Sequence, residues 1–196
     1  SGNFLWARNF DGRCLGLGIA TDVNNNVYTV GSYSFITDFD PNLGIFNLIS
    51  EGSGDIFITK LDPDGKLVWA KSIGGVNSDV GGSIAIDKNG NIHVTGYFQG
   101  TVDFDPGPGT SILTASGFFD IYISKLDILG NFLGAYKMGG GGGDESTSMA
   151  IDANGNIYAT GDFNNTADFD PGPGTYNLIS NGNEDIFVVK LNQSCT

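Results

Sequence analysis

Three pairs of aspartates stand at i and i+2 in this chain: Asp38 with Asp40, Asp103 with Asp105, and Asp168 with Asp170. Alternate residues of an extended strand project to one side, so each pair can offer two carboxylates together. Clustered carboxylates and backbone carbonyls suit calcium, a hard cation that takes about 6–8 oxygen ligands. These six aspartates are the candidate metal ligands, and calcium is the one cofactor the pattern suggests. The third ligand and terminal glutamate of an EF-hand loop are missing. The competing reading is that each aspartate accepts backbone N–H bonds in a proline-glycine turn. The residues between the pairs, Phe39, Phe104 and Phe169, are then expected to point into the core as buried anchors.

Other chemistry is thin. His93 is the only histidine, and it occupies the slot of Tyr28 and Tyr158 in equivalent stretches, which suits a packed strand residue. Serine or cysteine nucleophiles need a base, and none is paired with them. The carboxylate pairs recur, whereas an active site is normally singular, so the expectation is a protein that is not an enzyme. The run Gly139 to Gly143 lacks the lysine and helix start of a phosphate loop and reads as a flexible connector. Cys14 and Cys195 are too few for a disulfide framework; two separate thiols and one bond between them both stay open.

The elements that hold these residues repeat. Asp-Phe-Asp-Pro begins at positions 38, 103 and 168, a fixed period of 65 residues. Such periods mark supersecondary units that need neighbours to bury their faces. Within each unit a short apolar run ends in aspartate, as in Ile84-Ala85-Ile86-Asp87, and a tight turn, Asn-Gly at 89–90 and 154–155, leads to a second strand. The aspartate-rich insertion follows, then a third strand such as Ile121-Tyr122-Ile123-Ser124, then a turn and a fourth. β-Branched and aromatic residues dominate, and no helical period is visible. The fold class is all-β, built of propeller blades with about four antiparallel strands each and an insertion between the second and third. The expected bounds are 16–73, 82–138 and 147–191 for the three blades, the last lacking its fourth strand, with 1–8 supplying one.

The string "IAIDKNGNIHVTGYF", followed by "DIYISKLD" and a Gly-Gly junction, resembles the SBBP type of β-propeller repeat. The "DFDPGPG" insertion resembles a variant found in secreted and surface proteins of the Bacteroidetes. The resemblance covers nearly the whole chain. It implies an extracellular or cell-surface setting, with export by a type nine secretion system, but no single activity.

A net charge of −13 disfavours nucleic acid and anionic membrane as partners, and no apolar run approaches the length of a membrane helix. In a propeller of this strand order the insertions and the glycine-rich junctions share one face, opposite the hairpin turns. The function expected is a non-enzymatic structural or adhesion scaffold; the alternative is a carbohydrate-binding propeller that meets surface glycans on the inserted face. The ends suggest the partner. Residues 1–7 match 129–135, so Phe4, Leu5, Trp6 and Ala7 form a fourth strand, while Ile186, Phe187, Val188 and Val189 lie on a third strand without one. Pairing is expected with another copy, as a ring or filament, or with further blades of a longer chain.

Overall fold

A computed structural model describes residues 2–192. Repeat 1 holds β1 (Asp11–Thr21), β2 (Val27–Asp38), β3 (Asn47–Ile49), β4 (Asp55–Leu61) and β5 (Leu67–Ile73). Repeat 2 holds β6 (Val80–Ile86), β7 (Ile92–Phe98), β8 (Thr101–Asp103), β9 (Ile112–Thr114), β10 (Asp120–Leu126) and β11 (Phe132–Gly140). Repeat 3 holds β12 (Asp144–Ile151), β13 (Ile157–Phe163), β14 (Thr166–Asp168), β15 (Asn177–Ile179) and β16 (Asp185–Leu191). All strand pairings within the sheets are antiparallel, and the described residues contain no helix.

The main sheets run β1-β2-β4-β5, β6-β7-β10-β11 and β12-β13-β16. A bulge recurs in each first strand, between Gly16 and Gly18, Gly81 and Ser83, and Ser146 and Ser148. It presses the first strand onto the second, and the chain answers with glycine. A Cβ on Gly31, Gly96 or Gly161 would run into the carbonyl oxygen of Leu15, Val80 or Glu145.

The repeats stack through their faces. One core joins Val30, Ile56 and Ile58 of repeat 1 to Ile84, Val94, Phe104 and Tyr122 of repeat 2. A second joins Ile121, Ile123 and Met138 of repeat 2 to Met149, Phe169 and Phe187 of repeat 3. Because each β-strand turns alternate residues to opposite faces, Ile121 and Ile123 serve the second core while Tyr122 serves the first. That double burial explains why β10 is buried along nearly its whole length.

Several boundaries differ from the sequence reading. The first strands begin earlier than expected, at Asp11, Val80 and Asp144, and β11 runs on to Gly140. Residues 2–10 form no strand. A strand needs a ladder partner, and no strand among the described residues pairs with that segment.

Candidate functional site

Each insertion is a small hairpin whose first arm ends at the aspartate pair. Asp103 Oδ1 accepts the N–H of Asp105 at 3.1 Å and of Ser111 at 2.7 Å, closing the neck of the loop. Asp105 Oδ1 accepts the Gly107 N–H at 2.7 Å. Asp168 and Asp170 repeat this with Asp170, Tyr176 and Gly172. Asp38 and Asp40 do so with Asp40, Phe46 and Asn42, and the two N–H bonds from Phe46 and Asp40 hold the Asp38 carboxyl below its usual range. One oxygen of each aspartate thus serves the turn, the geometry of the capping alternative. The described residues contain no cluster of three or more metal-ligating side chains.

The intervening rings are buried in a recurring trio. Phe104 meets Phe98 edge-on at 5.2 Å and Tyr122 at 4.9 Å. Phe169 meets Phe163 and Phe187, and Phe39 meets Tyr33 and Phe57, at similar spacings.

His93 and Asp87 look like an acid–base pair, with Nε2 3.2 Å from Oδ2. The same contact is made by Tyr28 to Asp22 at 3.0 Å and by Tyr158 to Asp152 at 3.2 Å. The histidine therefore replaces a tyrosine in a structural contact beneath a hairpin turn. Burial lowers the His93 pKa, with Asp87 opposing, so the ring is neutral near pH 7. The Asp87 carboxylate also takes the N–H groups of Asn89 and Asn91, and so fixes the turn.

The glycine run is not a slack connector. Gly139 and Gly140 pair with Asp168 and Ala167 of the next insertion, as Gly74 pairs with Asp103. Gly143 bridges Phe119, and a Cβ on it would lie 2.6 Å from the Phe119 ring. Close approach is what the glycines permit. These bridges bring the insertions and the inter-repeat junctions to one side of the array.

Sequence reasoning missed the carboxylates that lock those junctions. Asp79 accepts from Gly75 and Gln99, and Asp144 from Gly140 and Asn164. Both are buried, and burial is the first cause pushing each up to about 6, with Asp55 and Asp120 respectively adding repulsion. Lys137 pairs with Asp120 at 2.9 Å; Ser72 stands at its position in repeat 1. The period was the available signal, since Asp79 and Asp144 are one repeat apart. Their counterpart in repeat 1 is Cys14, a free thiol raised by burial. Cys195 lies outside the described residues.

The two ends of the array present apolar faces. Ile186 and Val188 on β16 are 83% and 75% exposed, whereas their equivalents Ile56, Ile58 and Ile121 are fully buried. At the other end Ile19 is 70% exposed and its equivalent Ile84 only 5%. Beside β16 runs a groove of about 380 Å³ lined by Phe169, Tyr176, Leu178, Val189 and Leu191. Phe4 and Leu5 are exposed and do not meet it.

Known proteins resemble the chain at the level of its repeats. It is 34% identical over 155 residues to an uncharacterized WD repeat-containing protein of Acanthamoeba polyphaga mimivirus, covering 74% of this chain. It is 26% identical over 141 residues to the regulatory protein FlaEY of Caulobacter vibrioides, covering 72%. The chain spans only 11% and 15% of those relatives' lengths. A crystal structure of a protein of unknown function from Bacteroides caccae aligns with 92% of this chain and 61% of that one, at 13% identity. Its TM-score of 0.33 is too low to bear on the fold. Residues 68–97, from β5 through β7, match the SBBP family of β-propeller repeats.

Proposed function

We propose that the chain is a non-catalytic interaction scaffold, a set of propeller-type blades that docks protein partners through its end faces. The observation that carries this reading is the exposure of Ile19, Ile186 and Val188 where the equivalent side chains elsewhere in the chain are buried. Surfaces of that kind mark interaction sites. The recurrence of the hairpin-turn contact supports the non-catalytic part, because the His93–Asp87 pair has the tyrosine counterparts Tyr28–Asp22 and Tyr158–Asp152. An extracellular or cell-surface setting fits the resemblance of the insertions.

Sedimentation of the wild-type chain against Ile19→Asp and Val188→Asp variants tests the reading. Wild type is expected to associate with rising concentration and both variants to stay monomeric. Equal behaviour of all three would overturn it. One observation favours carbohydrate binding instead: Phe46, Phe118 and Tyr176 are exposed aromatics on the insertion side. Their positions do not recur in every repeat, since Ser111 stands where Phe46 and Tyr176 do. Saturable binding on a glycan array would establish that second reading.

A further inference from the structure

Residues 6–10 lie on repeat 1 in the way that the fourth strand of one repeat lies on the next. Trp6 Nε1 donates to the Pro63 carbonyl at 3.0 Å. In the next repeat, Trp69 Nε1 of β5, which aligns with Trp6, donates to the Ile128 carbonyl at 3.4 Å. Arg8 donates to the carbonyls of Gly65 and Asp64 at 3.0 and 2.8 Å. The Lys71 side chain lies against Gly130 in the same manner, 3.1 Å from where a Cβ would sit. The Phe10 ring stands 5.3 Å from Phe39. Its counterparts Ile73 and Met138 share cores with Phe104 and Phe169. Three contacts, each with an internal precedent, put the segment in the place of a fourth strand belonging to a repeat that would precede repeat 1.

What this segment lacks is a third strand beside it. What β16 lacks among the described residues is a fourth, whereas β4 has β5 and β10 has β11. Repeat 2 packs on repeat 1 with one face and on repeat 3 with the other, so the two half-blades stand at opposite ends of the array. We propose that β16 of a second copy pairs antiparallel with residues 4–10, laying repeat 3 of that copy on repeat 1 of this one.

The internal pairings fix the register. Met138 faces Ile121, Tyr136 faces Ile123 and Gly134 faces Lys125. Ile73 faces Ile56 and Trp69 faces Lys60 in repeat 1. Carried over, Phe10 faces Ile186, Arg8 faces Val188 and Trp6 faces Lys190. The same placement covers Ile19 with Ile186 and Val188, as Ile56 and Ile58 cover Ile84.

A packing correlation points to the same pair. In repeat 1, Lys60 Nζ lies 5.2 Å over the Tyr28 ring, and Trp69 meets that ring edge-on at 6.1 Å. In repeat 3, Lys190 Nζ lies 5.2 Å over Tyr158, and no tryptophan among the described residues completes the layer. Repeat 2 has His93 in place of the tyrosine and Gly134 in place of the tryptophan. Tryptophan thus goes with tyrosine, and Trp6 is the chain's other tryptophan. Two copies joined at both ends would hold six blades, inside the roughly 4–8 of closed propellers. A head-to-tail contact closes into such a ring or continues as a filament.

The proposal rests on the scaffold reading but is narrower, and crosslinking separates the two. In a Cys14→Ser/Cys195→Ser background, one chain carries Arg8→Cys and another Val188→Cys. Directly opposite strand residues bring their Cβ atoms within about 4.5–5.5 Å, in reach of a short bis-maleimide. The mixture is expected to yield the heterologous dimer, and each variant alone none. Both cysteines on one chain are expected to give dimers or larger species. Trp6→Gly, which alters an exposed segment and copies Gly134, is expected to weaken association at least tenfold with unchanged circular dichroism. Association without this crosslink and without sensitivity to Trp6→Gly overturns the proposal and leaves the scaffold standing. A crosslinked monomer from the double-cysteine chain also overturns it, because the strand would then pair with its own β16. A wild type monomeric at every concentration overturns both.

Discussion

Replacing Phe104 with alanine probes the structural claim that the insertions are anchored and not loose. The ring is fully buried between Phe98 and Tyr122, and it belongs to the core that joins repeats 1 and 2. Truncating a large buried aromatic costs about 3–5 kcal/mol, including the cavity left behind. The two ring contacts, one edge-on and one tilted, place the expected cost in the upper half, about 4 kcal/mol. That is nearly three orders of magnitude in the folding constant. With a urea m-value of about 2.5 kcal/mol/M, the midpoint should fall by about 1.6 M. Urea titrations followed by tryptophan fluorescence and by circular dichroism would measure it, the agreement of the two checking for a single transition. A cost under about 1.5 kcal/mol with an unchanged m-value would refute the anchoring argument.

Stability should peak at about pH 4 and decline as the pH rises to about 6. Asp79 and Asp144 are raised to about 6 by burial, so the stability of their neutral forms is whole below the ordinary carboxylate range and is lost as pH rises through 6. Asp22, Asp38, Asp87 and Asp152 are held low by hydrogen bonds, against burial at most of them, and lose their contribution as pH falls. For Asp79 the loss is on the order of 3 kcal/mol, and an Asp79→Asn variant should flatten the alkaline limb in urea titrations from pH 4.5 to 7.5; an unchanged limb would count against it. Phe35 sits at φ 63° while exposed, where the other repeats use Gly100 and Asn165, so Phe35→Gly should stabilise the chain by about 1 kcal/mol. A destabilised variant would mean that the Phe35 ring makes a contact worth more than its backbone strain. Chelator should leave the melting temperature within about 1 °C, because the insertion aspartates already serve backbone N–H groups; a fall of several degrees would restore Asp103, Asp105, Asp168 and Asp170 as calcium ligands.

The repeat was legible because a 65-residue period leaves copies to compare, and strand type followed from consecutive β-branched and aromatic residues. The buried phenylalanine between two aspartates was legible for the same reason, through the two-residue alternation of a strand. The junction carboxylates were not, since Asp79 just before β6 and Asp144 at the start of β12 stand in stretches that read as polar loop. Only the three-dimensional approach of Gly75 and Gly140 makes them acceptors. The glycine run misled in the same way. Its composition is that of a linker, but its lack of Cβ atoms serves close backbone contact with Phe119 and Ala167. The N-terminal segment has the sequence of a fourth strand, and propensity alone could not supply its missing partner.

Sedimentation equilibrium of the unmodified chain over a hundredfold concentration range, at low and high salt, tests the docking account most directly. The account predicts a mass that rises from one chain to two or more. It also predicts tighter association at high salt, because screening relieves the repulsion between copies that each carry a charge of −13. A mass of one chain throughout, at either salt, would contradict it.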